Sequence, residues 1–411
     1  MRLLIAALIL AMTSSVAEPA AAAYKAKTPY SFCPDGDCTD GQPLDVIATP
    51  GGTLYGVTPS GGFGTVFALV PNAKGTKWKY QRVWNFCSQS NCTDGEMPNS
   101  GLIVDMAGNL YGTTSQGGTH SQGVLFRLAK KGKTWALATL YNFCGASDCS
   151  DTSPSIRLTY AGAASGAPYD GTSPLYAANY TYGFSGGEGA VFSLTPADGE
   201  WTQATLYRFC LKKNCPDGEN PMALLADSSG NLFGTTEHAG GDSAGTVFEL
   251  SGGVLTTLHS FCSACTTDGK GPQGQIAIDG KGNLYGATAG GGTSSHGTIY
   301  KLVPKGKKST VSLLYSLCPN GDCSVSGSNV FSGVVLDADG NLFGSAESGG
   351  AQHGGTVFEV GKTFKVLHAF CGCSGEGDSP ISLTADGSGN LFGADLFGGL
   401  QDQGTIFELK R

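Results

Sequence analysis

Apolar and polar residues alternate along the chain in short runs broken by glycine-rich turns, and no stretch carries a helical period. One stretch shows the pattern well. Residues 101–104 are apolar, Asp105-Met106-Ala107-Gly108-Asn109 has the composition of a tight turn, and 110–114 alternates again before Gln116-Gly117-Gly118 breaks it. Residues 123–128 and 135–143 alternate on either side of a lysine-rich turn at 130–133. The pattern predicts four antiparallel strands. The turn chemistry agrees, because an Asp side chain accepts from backbone amides just beyond it and Gly-Asn supplies the positive φ values that a hairpin needs.

The unit repeats. Leu-aromatic-Gly occurs at Leu54, Leu110, Leu232, Leu284, Leu342 and Leu391, with a degenerate copy at Leu175-Tyr176-Ala177, at spacings of roughly 50 to 65 residues. Each copy is followed by a Gly-rich break and a further strand. Asp-x-x-Gly-Asn precedes five of the seven, at Asp105, Asp227, Asp279, Asp337 and Asp386. Four strands in each of seven units imply an all-β fold, a seven-bladed β-propeller of four-stranded antiparallel blades, formed by one domain over residues 24–411. The phase of the ends adds a closure. The chain starts with a last-strand fragment, Tyr30-Ser31-Phe32-Cys33, and stops three strands into its seventh unit, so residues 29–33 are expected to pair beside 404–409 and remove both open edges.

Ahead of the repeats, Arg2, an apolar run over 3–12 and small residues up to Ala17 read as a secretory signal within residues 1–23, cleaved after Ala17 or Ala23. Ten apolar residues are too few to span a bilayer. The expected destination is extracellular or periplasmic, and the processed chain is expected to be a monomer not inserted in a membrane. Gly at 64 residues and charged residues at only 14% suit many short strands joined by turns. A net charge of −8 gives no basis for a nucleic-acid partner, which needs clustered Lys and Arg.

All 14 cysteines fall into seven local pairs, one per unit: Cys33/Cys38, Cys87/Cys92, Cys144/Cys149, Cys210/Cys215, Cys262/Cys265, Cys318/Cys323 and Cys371/Cys373. In a secreted chain these read as disulfides that staple each connection between blades. Cys262-x-x-Cys265 has the spacing of a redox or zinc pair but occupies the same repeat position as the C-x4-C pairs. Cys371-Gly372-Cys373 is the tightest span of the set.

The units Asp-x-x-Gly-Asn-Leu-(Tyr/Phe)-Gly followed by Gly-Gly and Gly-Thr-Val-Phe resemble the GloVer-type tandem repeats of bacterial choice-of-anchor proteins, over about residues 28–411. The resemblance implies an extracellular or surface protein and brings no catalytic residues with it. The third unit departs by losing its Gly-Asn turn, and the sequence to Arg411 lacks the hydrophobic sorting tail that anchoring would use.

Candidate chemistry is sparse. No P-loop or His-Glu-x-x-His motif is present. The connections between blades and the loops between second and third strands share one face of a propeller, which makes that face the expected binding surface. His120, His296 and His353 lie in its Gly-Gly loops, at positions that are not equivalent, and read as loop residues; no metal and no cofactor are expected. Asp35, Asp37 and Asp40 miss the spacing of a calcium loop and, with Asp94, Asp217 and Asp268, read as turn-stabilising. The third unit adds Tyr160, Tyr169, Tyr176, Tyr180, Tyr182 and Phe184, with Glu188 nearby; of these Tyr180, Tyr182, Phe184 and Glu188 are the candidate ligand contacts, against a packing role for the aromatics. The expectation is a non-catalytic binding or scaffold propeller for an extracellular polysaccharide or protein. The alternative is a carbohydrate hydrolase or lyase with a carboxylate cluster at the channel mouth.

Overall fold

The structure, a computed structural model, describes residues 24–145, 152–180, 188–197, 199–262, 268–305, 309–373 and 375–411. Seven antiparallel sheets follow one another round a ring. In the first, Asp45–Ala48 lines the central channel, then come Leu54–Thr58, Thr65–Pro71 and, outermost, Trp78–Asn85. The Asp-x-x-Gly-Asn turns form as their composition predicts: Asp105 Oδ1 accepts from the Ala107 and Asn109 amides at 2.9 and 2.8 Å, and the same bonds recur at Asp227, Asp279, Asp337 and Asp386.

The seventh sheet takes its inner strand from Gly377–Pro380 and Thr384–Ala385, then Leu391–Gly398 and Thr405–Lys410, and its outer strand from the other end of the chain, Lys25–Ser31. The register runs from Lys25 opposite Lys410 to Ser31 opposite Thr405. The ring is therefore closed as expected, by a strand that starts a few residues earlier. It bulges between Lys27 and Tyr30, around Pro29. Proline cannot donate to a ladder, and an outer strand with a bulge is where it can be accommodated.

The Leu-aromatic-Gly motif has a packing cause. The leucines (Leu54, Leu110, Leu175, Leu391) are fully buried between sheets, and each motif glycine lies opposite an aromatic residue of the third strand. At Gly112 a Cβ would meet Phe126 Cζ at 2.7 Å, so the ring takes the space that a side chain would fill. Packed pairs of neighbouring blades form the core, with Phe32, Phe67, Phe126, Phe192, Phe248 and Phe358 almost wholly buried.

Two residues after that glycine, Thr58, Thr236 and Thr288 form buried hydroxyl pairs with Thr65, Thr246 and Thr298. In the seventh blade the position is Asp395, fully buried and bonded to the Thr405 hydroxyl at 2.5 Å. Burial pushes its carboxyl well above the ordinary carboxylate range, and Glu376 and Asp378 add to this against the pull of Thr405. A carboxyl whose folded pKa is raised contributes its stability in full below its unfolded pKa and loses it as pH rises through the folded value. Asp395→Asn is therefore expected to raise the melting temperature at pH 8 and to change it little at pH 4, a difference of about 1–3 kcal/mol. Melting curves across that range check this, and a pH-independent offset would contradict it.

Candidate functional site

The connections between blades build one face of the ring. The first cysteine of the C-x4-C staples follows an outer strand in the left-handed region, with φ of +58° at Cys33, +56° at Cys87, +58° at Cys210 and +51° at Cys318, which L-residues adopt at a cost. A carboxylate beyond the second cysteine caps that turn. Asp40 accepts the Cys33 amide at 2.9 Å, and Asp217, Asp268 and Glu376 do the same for Cys210, Cys262 and Cys371. Ser326 takes the role for Cys318, while Asp94 accepts the amides of Ser88 and Gln89.

The same carboxylates receive a second bond from the side chain three residues before the cysteine: Tyr30, Trp84, Tyr207, His259 or His368. Burial, then Asp217, push the Tyr207 hydroxyl up to about 12, and Tyr30 is raised for the same reasons, so both phenols remain donors. Burial raises the Asp268 carboxyl, but the bonds from His259 and two amides outweigh it and hold the group below its ordinary value. The turn-stabilising reading of Asp40, Asp94, Asp217 and Asp268 is what the geometry shows.

Three of the staples are also tied to the next blade. The Cys92, Cys215 and Cys323 carbonyls accept from Gly118, Gly240 and Gly350 at 2.8 to 3.0 Å, which places the stapled loops and the Gly-Gly loops on one face. Bridges join Cys33–Cys38, Cys87–Cys92, Cys210–Cys215, Cys318–Cys323 and Cys371–Cys373. Cys144 and Cys262 are disulfide-bonded as well, and their expected partners Cys149 and Cys265 lie outside the described residues.

The central channel is not symmetric. Counting three residues back from the one that faces the motif leucine, the seven blades present Asp45, Gly101, Arg157, Ala223, Gln275, Gly333 and Ser382. Asp45 and Arg157 reach each other over Gly101. Arg157 Nε donates to Asp45 Oδ2 at 3.0 Å, Nη2 donates to the same oxygen, and a Cβ on Gly101 would sit 3.0 Å from Arg157 Cζ. Asp45 Oδ1 accepts the Val46 amide at 2.8 Å. The pair opens on a cavity of about 530 Å³ that runs through the channel, lined by Ser100, Ser155, Tyr160, Tyr180, Gln275 and Ser332 among others. Among the described residues Asp45 and Arg157 are the only charged groups that line it. Burial pushes the Tyr160 hydroxyl up to about 12 against the pull of Arg157. Asp45 and Arg157 escaped the sequence reading.

Of the candidates from the third unit, Tyr180 lines this channel, 38% exposed. Glu188 stands at the start of the third strand, where its carbonyl accepts the Asn220 amide of the next blade. Tyr182 and Phe184 lie outside the described residues. Tyr169 is buried against Tyr111 and Tyr160, and its backbone bonds to Val104 and Met106 of the second blade, so this insertion packs as an extra edge on a neighbour. Tyr176 packs against the fourth blade. His120 and His353 are exposed, on the second and sixth blades, and His296, on the fifth, lies within 4.8 Å of the Cys318–Cys323 sulfurs. Among the described residues no group of potential metal ligands contains two histidines. No helix among them is long and apolar enough to cross a membrane.

Comparison with known proteins gives a family and a fold. The family described as the Gloeobacter/Verrucomicrobia repeat matches residues 160–330 and 264–411. No curated protein matches the sequence. Among solved structures, the extracellular domain of a one-component system protein, BT4673 of B. thetaiotaomicron, is similar at 9% identity and a TM-score of 0.55 over 95% of this chain. The chain spans 40% of the length of that structure. The WD40 β-propeller domain of Doa1 is similar at 12% identity and a TM-score of 0.51, over 94% of this chain and 96% of its own.

Proposed function

This chain belongs to the Gloeobacter/Verrucomicrobia repeat family, and from its stapled face and polar channel we propose that it is a secreted, non-catalytic binding propeller whose ligand is an extracellular polysaccharide. The observation that carries the reading is the Asp45–Arg157 pair beside Tyr160 and Tyr180 in the channel. A guanidinium and a carboxylate side by side offer donors and acceptors at the spacing of neighbouring sugar hydroxyls, and tyrosine faces suit the apolar side of a sugar ring. The pair is neutral overall, which favours a polyol over an ion. Loops closed by bridges and locked to the next blade lose little entropy on binding. The bridged loops also suit an oxidising destination, in keeping with the signal proposed over residues 1–23.

The enzyme reading asks for an acid and a base. Glycoside cleavage uses two carboxyl groups at a defined separation, whereas Asp45 is the one carboxylate among the described residues of the channel lining and is already paired. A glycan array with the oxidised chain, followed by product analysis on every bound glycan, separates the readings. Binding without product release is expected, and Arg157→Gln with an unchanged circular dichroism spectrum is expected to weaken it at least about tenfold. Released product would replace the proposal with catalysis; undiminished binding by the variant would remove the channel from it.

A further inference from the structure

The Cys371–Cys373 staple differs from the other described bridges in three ways. It spans two residues where they span five. Closing so short a loop restricts the unfolded chain least, so opening it costs the fold least. Among the bridges described at both ends, Cys373 is the only exposed cysteine, the others being buried or half-buried. And its capping residue is one methylene longer than the aspartates elsewhere: Glu376 Oε2 lies 2.8 Å from Cys371 Sγ, while Oε1 is 2.7 Å from His368 Nε2. Gly372 makes the span possible, with φ of +58° and the Asp378 carboxylate where a Cβ would point.

We propose that Cys371–Cys373 is a thiol–disulfide exchange site, open to small thiols such as glutathione, with Cys373 the sulfur attacked and Cys371 the leaving sulfur. A glutathione thiolate attacks Cys373 Sγ and forms a mixed disulfide. The Cys371–Cys373 bond breaks, its electron pair moves to Cys371 Sγ, and that sulfur takes a proton from water. A second glutathione thiolate attacks the glutathione sulfur of the mixed disulfide and releases Cys373, which takes a proton from water. Two glutathione thiols become one glutathione disulfide, and one protein disulfide becomes two thiols. Exchange rates depend on which sulfur is reached, and exposure singles out Cys373.

The test is timed exposure of the folded, fully oxidised chain to millimolar reduced glutathione, quenched by alkylation and read by peptide mass spectrometry. Cys371 and Cys373 are expected to become alkylated at least about tenfold faster than the five-residue staples, with the circular dichroism spectrum unchanged. Equal rates at all staples, or slower reduction at Cys371–Cys373 than at the others, would overturn the proposal, and neither outcome touches the polysaccharide reading.

Discussion

A chain lacking residues 24–32 is expected to melt far below the intact one or to fail to fold cooperatively. The segment supplies the outer strand of the seventh blade, and without it Thr405–Lys410 is an open edge. It also removes Phe32, which is fully buried and packs on Phe67 at 5.3 Å, and Tyr30, stacked on Tyr80 at 4.5 Å and bonded to Asp40. Deleting one such buried aromatic costs about 3–5 kcal/mol by itself, a large part of the 5–15 kcal/mol that typically separates folded from unfolded chains. Thermal melting followed by circular dichroism reads the effect. An unchanged melting temperature would mean that the ring does not depend on its first strand.

Complete reduction is expected to have the second largest effect. Closing a loop of about six residues stabilises by roughly 2 kcal/mol in the chain-entropy account. The four C-x4-C bridges described, with those at Cys144 and Cys262, therefore sum to about 12 kcal/mol. At Cys33, Cys87, Cys144, Cys210 and Cys318 the bridge also holds a cysteine at positive φ. The denaturant midpoint of reduced and alkylated protein is expected to collapse relative to the oxidised form. A midpoint that stays in place would show the staples to be incidental to stability. Exchange at Cys371–Cys373 alone is expected to leave it nearly unmoved, since that bridge closes the shortest loop.

The fold was legible because its determinants are local and repeated. Alternation, Asp-x-x-Gly-Asn and the Gly-Gly breaks fix each hairpin within a few residues of sequence, and the phase of Tyr30-Ser31-Phe32-Cys33 against Thr405–Lys410 gave the closure. The five cysteine pairs described at both ends were legible for the same reason. The channel pair was not, because Asp45 and Arg157 are 112 residues apart and meet only through the ring. Their equivalence emerges when the inner strands are laid in register, and the third unit obscures that register by losing its Asp-x-x-Gly-Asn turn. The role of the outer-strand side chains was half legible: the aspartates read as turn residues, while their partners at Tyr30, Trp84, Tyr207, His259 and His368 become visible once the outer strand and the staple fold back on each other. Asp395 carried a signal that aligning the units would have caught, an acid where other blades have Thr58, Thr236 or Thr288.

Amide hydrogen exchange over Lys25–Ser31 tests ring closure most directly. The account predicts protection there as slow as that of the partner strand Thr405–Lys410, with both segments losing it together under denaturant. Exchange of the first segment within seconds, as in a free chain end, while Thr405–Lys410 stays protected would contradict it.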